Sequence, residues 1–139
     1  MKLADIRPFL REALTDLGFT EWPDGFNFAN IPENISEKAF HILNPSGDGG
    51  PISMHDQQFS VVSEIRLFRK GFRNPGETID KIMADLDNVI CDLFHPEKRF
   101  DGHLNITLNG FEINPLSDSN DNSVVATLNV NVKVTLGVT

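Results

Sequence analysis

Chemistry in this chain would have to come from four histidines, one cysteine and 20 carboxylates. The histidines are His41, His55, His95 and His103. No two stand at i, i+4 on a helical pattern and none belongs to an H-E-x-x-H motif, so surface or capping roles explain them more simply than zinc. "DSNDNS", from Asp118, has calcium-loop spacing at its first, third and fifth positions. Ser123 then stands where that loop needs glycine and Asn129 where it needs glutamate, so the segment reads as a polar turn. The run Gly47, Asp48, Gly49, Gly50 lacks the G-K-[ST] and the following helix of a phosphate loop, and a strand pattern follows it, which excludes a dinucleotide fingerprint. Cys91 has no histidine or basic cluster beside it in sequence to activate it as a nucleophile. Glu77, Asp80, Asp85, Asp87 and Asp92 fall off the apolar arc of one helical segment and read as its solvated side. No catalytic constellation, metal set or cofactor motif results, so the expectation is a protein that is not an enzyme.

The bulk composition bounds the rest. A length of 139 residues suits one domain, 1–139, with a sizeable core. Hydrophobic residues make up 40% and charged residues 23%, a globular balance. No apolar run approaches the roughly 20 residues of a membrane span. The N-terminal MKLADIRPFL carries Asp5 and Arg7 within its apolar pattern, unlike a signal peptide. A single cysteine allows no internal disulfide and fits a reducing cytoplasm. The net charge of −8, without clustered Lys or Arg, argues against tight nucleic-acid binding. An acidic protein can still stand beside DNA if DNA must pass without sticking.

The elements that would position these residues follow from periodicity. Residues 3–17 have a helical apolar face of Leu3, Ile6, Leu10, Ala13, Leu14 and Leu17, with Gly18 suited to a left-handed cap. Phe19 to Glu37 shows neither period and is long for a connection. Ala39 to Asn44 is a short strand, residues 44–56 a turn-rich loop, and Gln57 to Lys70 an alternating strand; the two strands would form a hairpin with a long, mobile tip. A second helix starts at the cap Asn74 with Pro75 next, and ends before Pro96. Its apolar arc holds Ile79, Ile82, Met83, Leu86, Val89, Ile90 and Leu93, with Cys91 on the polar side. Leu104, Ile106 and Leu108 alternate, and the phase flips at Asn109-Gly110 to Phe111 and Ile113, which predicts a bulge. A turn at 117–123 precedes the alternation Leu128 to Val138.

The order α-β-β-α-β-β implies an α+β fold: a mainly antiparallel sheet with two helices packed on one face. A straight strand over Asn122–Val138 would measure about 55 Å. A compact domain of this length is roughly 37 Å across. The last strand is therefore expected to bend, break or project as part of a hairpin.

"EWPDGFNFANIPENISEKAFHI" concentrates Trp22, Phe26 and Phe28 in a stretch that Pro23 and Pro32 keep from being a helix. Such rings either cap their own core or cover a partner. Together with "VVSEIRLFRKGFRNPGETIDKIMADLDNVICDLFHP" and "SNDNSVVATLNVNVKV", this segment resembles the small tail-terminator (tail-completion) proteins of long-tailed bacteriophages. The resemblance covers roughly residues 3–137 and rests most on W-x-D-x-FNF-x-NIP, "FRKGFRNP" and "SNDNS". It implies a structural virion protein of the neck, assembled in the host cytoplasm. Six copies would form a ring on the head-proximal end of the tail tube, stop tube polymerisation and meet the head connector or stopper protein. DNA would pass through the lumen without specific binding. Head completion is the neighbouring role, and a small-molecule-binding module the alternative of another class. The surfaces expected to meet a neighbouring subunit or the tube are Trp22, Phe26 and Phe28, and the loop residues Gly47, Asp48, Gly49, Gly50, Met54 and His55.

Overall fold

The computed structural model describes residues 2–22, 38–71, 74–95, 105–115 and 122–137. A 3-10 turn, Leu3–Asp5, leads into helix α1, Ile6–Asp16. Strands β1 (Thr20–Glu21), β2 (Lys38–Ile42), β3 (Ser46–Pro51) and β4 (Asp56–Arg69) follow. Helix α2 (Pro75–Leu93) then precedes β5 (Asn105–Pro115) and β6 (Val124–Gly137). Among the described residues the fold is α+β, two helices with a mixed six-stranded sheet in which only β1 and β2 pair in parallel. The path across the sheet is β1-β2-β4-β6-β5.

The β4–β6 ladder runs from Asp56↔Gly137 to Arg69↔Val124 without a register shift. Its alternation selects the faces. Val61, Ser63, Ile65 and Leu67 of β4 align with Val132, Val130, Leu128 and Ala126 of β6, and all eight are buried. Ile6, Leu10 and Leu14 of α1 and Ile82, Leu86, Val89 and Leu93 of α2 join them in one core. On the other face stand His41, Glu64, Arg66, Thr127 and Asn129, with Ala39 and Phe68 buried as a cross-strand pair.

Local chemistry explains most element ends. Gly18 takes φ +90 after α1, where a side chain would be strained. Lys38 Nζ donates to the Leu17 carbonyl at 2.9 Å and stands 4.8 Å from the centre of the Phe19 ring, closing the same end. Asn74 caps α2 by accepting from the Gly76 N–H at 2.9 Å, and Pro75 fills the first turn. The phase flip in β5 is the expected bulge: Leu108 faces Val130, Gly110 faces Asn129, and Asn109 is the extra residue. Asn122, at φ 61, turns the chain into β6.

Three expectations are corrected. Residues 44–56 are not an open loop, because 46–51 form β3, antiparallel to Gln57–Val62 of β4. The stretch read as a connection from Phe19 holds the short strand β1, so two strands join the expected order. Ile79 and Met83 are exposed, whereas Thr78 and Asp85 lie in the buried side of α2. That rotation has a tertiary cause. Asp85 Oδ2 lies 3.6 Å from Arg69 Nε of β4, with both side chains nearly enclosed. β6 does not break, running from Val124 to Gly137 without a register shift in its ladder with β4.

Burial pushes the Asp85 carboxyl above the usual carboxylate range, against the opposing pull of Arg69 and then Lys38 and Lys81. Folding thus favours its protonated form, so its contribution is full at low pH and is lost as pH rises through the raised value. Arg69→Met removes the strongest compensating charge. It is expected to cost about 3–5 kcal/mol at pH 7. Urea melts across pH should show the deficit shrinking as pH falls through the raised Asp85 pKa. The pair Arg69→Met with Asp85→Leu should recover wild-type stability; a pH-independent deficit would contradict this account.

Candidate interaction surface

β3 shares one edge of β4 with β2. β2 takes Ile65–Arg69 and β3 takes Gln57–Val62. Between them, Leu43, Asn44 and Pro45 span only Glu64 and Ser63, so one residue bulges. Proline, without an N–H, suits that place. The Leu43 N–H still donates to the Glu64 carbonyl at 2.9 Å, and its own carbonyl accepts from Arg7 Nη1 at 3.2 Å. That contact ties the start of α1 to the bulge.

Glycine lets β3 lie close to β4. A Cβ on Gly49 would collide with the Gln58 carbonyl oxygen and stand 2.8 Å from Phe59 Cα. A Cβ on Gly50 would meet nothing within 4 Å. The turn 52–55 is held by its own hydrogen bonds. Ser53 Oγ donates to Asp56 Oδ2 at 3.2 Å and accepts from the N–H groups of His55 and Asp56, and the Ile52 N–H donates to the Asp56 carbonyl. A structured tip therefore displays Ile52, 57% exposed, and Met54, 89% exposed. Such exposure of large apolar side chains marks a surface that another body can cover.

On the helix face beside β3 lies an open apolar cavity of about 390 Å³. Leu3, Ile6, Arg7, Gly47, Phe59 and Val61 contribute to its wall. Among the described residues, that wall carries one charged side chain, Arg7, and no carboxylate or histidine. It offers apolar contact and little means of moving a proton.

The structure gathers Gly47, Asp48, Gly49, Gly50, Met54 and His55 into one hairpin. Trp22 stands elsewhere, half-buried at the end of β1, where its N–H donates to the Phe40 carbonyl at 2.9 Å and its carbonyl lies 3.2 Å from His41 Nδ1. Phe26 and Phe28 lie outside the described residues, as do His103 and Asp118 to Asp121. Sequence reasoning missed Leu3, Ile52 and Phe59 as surface-forming residues. It also missed the exposed positions of Ile79, Met83 and Phe111. Leu3 could have been suspected because it precedes the first full helical turn; Phe111 gave no such signal, since its alternation matches that of a buried residue. Among the described residues, no three His, Cys, Asp or Glu side chains gather as a metal site requires. Nor is any helix among them long and apolar enough to cross a membrane.

No family model matches this sequence, and no curated protein matches it either.

Gly49→Ala should destabilise the protein by about 1–3 kcal/mol, because the β3 backbone must move away from β4. Gly50→Ala should change stability by less than about 1 kcal/mol. Thermal melts with hydrogen exchange on residues 46–51 would check this, with faster exchange expected only in Gly49→Ala. Equal behaviour of the two variants would contradict the close approach.

Proposed function

We propose that this chain is a structural protein of the bacteriophage neck, a tail terminator that forms a ring on the head-proximal end of the tail tube. The ring stops tube polymerisation and joins the tail to the head connector or stopper protein. The observation that carries this reading is the ordered β3–β4 hairpin with Ile52 and Met54 on its tip. A surface of this kind suits contact with another protein. The β4–β6 ladder continues past the buried Val134 to Gly137, so the same end would project from the body toward the tube or a neighbour. The sequence pattern over residues 3–137 supplies the specific role. Self-assembly into six copies follows from that resemblance, as does a place in the virion after assembly in the host cytoplasm. A net charge of −8 suits a lumen that DNA phosphates must pass without adhering.

The apolar cavity gives the small-molecule-binding reading its one supporting observation, since its volume falls within the usual range for ligand sites. A head-completion role differs from termination in which assembly step fails without the protein. Electron microscopy of particles made with the gene disabled separates these readings. Overlong, headless tubes beside full heads are expected. Tails of normal length beside emptied heads would move the role to the stopper, and intact infectious particles would overturn a structural role.

A further inference from the structure

Among the described residues, the exposed large apolar side chains divide between the two lateral ends of the sheet. Leu3, Ile52 and Met54 lie at the β3 end: Leu3 in the cavity wall beside Gly47, and Ile52 and Met54 on the turn that follows β3. Phe111, 50% exposed, lies on β5 at the other end. Ile79 and Met83 belong with Phe111. Asp85 turns one flank of α2 toward Arg69 of β4, with Lys38 of β2 its next positive neighbour. At 100° per residue, Ile79 and Met83 lie about 120° and 160° round from Asp85, on the flank toward β6 and β5. Among the described residues, no strand pairs with the outer edge of β3 or of β5. An uncovered edge with apolar residues beside it is a template for another strand.

The two ends are complementary in direction, face and shape. β3 runs opposite to β4, and β5 runs the same way as β4 because each opposes β6. Two copies placed side by side with the same face inward would thus bring β5 of one antiparallel to β3 of the next. Phe111 aligns through Leu128 with Ile65, so it stands on the face that carries the helices. The cavity opens on that same face, and its 390 Å³ has room for one aromatic ring. Gly47, which contributes to its wall, has no side chain to fill it.

We infer that a second copy of this chain docks head-to-tail, with its β5 along the β3 edge and its Phe111 in the cavity walled by Leu3, Ile6, Phe59 and Val61. The join is heterologous, since the two mating surfaces differ, and repetition gives a ring or a filament. Phe111 lies level with Ile65 and the cavity level with Val61, so each copy slips along its neighbour by the four positions between them. Each copy contributes four strands to the shared layer, β3, β4, β6 and β5. One residue of slip per strand is the ratio of a closed eight-stranded barrel with a shear of 8. The slip is thus of a size that lets a sheet close on itself. This inference deepens the self-assembly part of the proposed function and rests on it only for the closed ring.

The test is a mixing experiment with Phe111→Asp and Leu3→Asp, each checked for folding by circular dichroism. Each variant alone should self-associate about 30-fold more weakly than wild type or worse. Mixed, they should form a dimer and stop, because one keeps a sound cavity and the other a sound Phe111. In a Cys91→Ser background, Phe111→Cys on one chain should form a disulfide with Leu3→Cys on another, a readout that survives poor folding of the aspartate variants. Association unchanged by Phe111→Asp with no such disulfide would overturn the inference while leaving the ring reading intact. A wild-type chain still monomeric at about 1 mM with no disulfide would overturn the inference. The gene-disabled particles judge the neck role independently.

Discussion

The antiparallel ladder between β4 and β6 is longer than either helix described against it. Its strands of 14 residues extend about 46 Å. The 19-residue helix α2 extends about 28 Å. A helix cannot cover a ladder of that length, and the shorter α1 packs near β1 and β2 instead. The uncovered remainder decides the rest of the molecule. One edge of β4 needs two strands in succession, β2 and β3, with a bulge between them. The far end of the ladder is left with the hairpin turn, and the lateral ends with half-exposed apolar side chains. Where this fold departs from a closed globule, it does so because the central ladder outruns its helices.

Much of this architecture was legible in the sequence, because the signals were local. The alternation from Leu128 onward located β6, Asn74-Pro75 the start of α2, Gly18 the left-handed turn after α1, and Asn109-Gly110 the bulge. What was not legible depended on partners distant in the chain. β3 consists of Ser, Gly, Asp, Gly, Gly and Pro, so it has no alternating apolar side chains to reveal it. It is a strand because β4 offers a free edge and Gly49 permits the close approach. The rotation of α2 was hidden for a similar reason. Ile79 and Met83 fit the apolar arc, yet the Asp85–Arg69 pair and the buried Thr78 set which side faces the sheet.

The candidate surface was legible in part. Met54 and His55 were singled out and do stand exposed on a turn. Of the glycines near them, Gly49 serves the close approach of the β3 and β4 backbones. Phe111 illustrates the general difficulty. Its place in the alternation puts it on the core face, and only its position on an edge strand leaves it half open. Sequence periodicity reports the face of a sheet on which a residue sits. It does not report whether that part of the face is covered.

The outer edges of β3 and β5 are unpaired among the described residues, and the proposed assembly would cover both with further copies of the same chain. Hydrogen exchange measured across a range of protein concentrations tests this most directly. The account predicts that outward-facing amides of Ser46–Pro51 and of Asn105–Pro115 gain protection together as concentration rises, while the already paired β4 and β6 amides change little. Association that leaves both edges exchanging as fast as in the dilute monomer would contradict it.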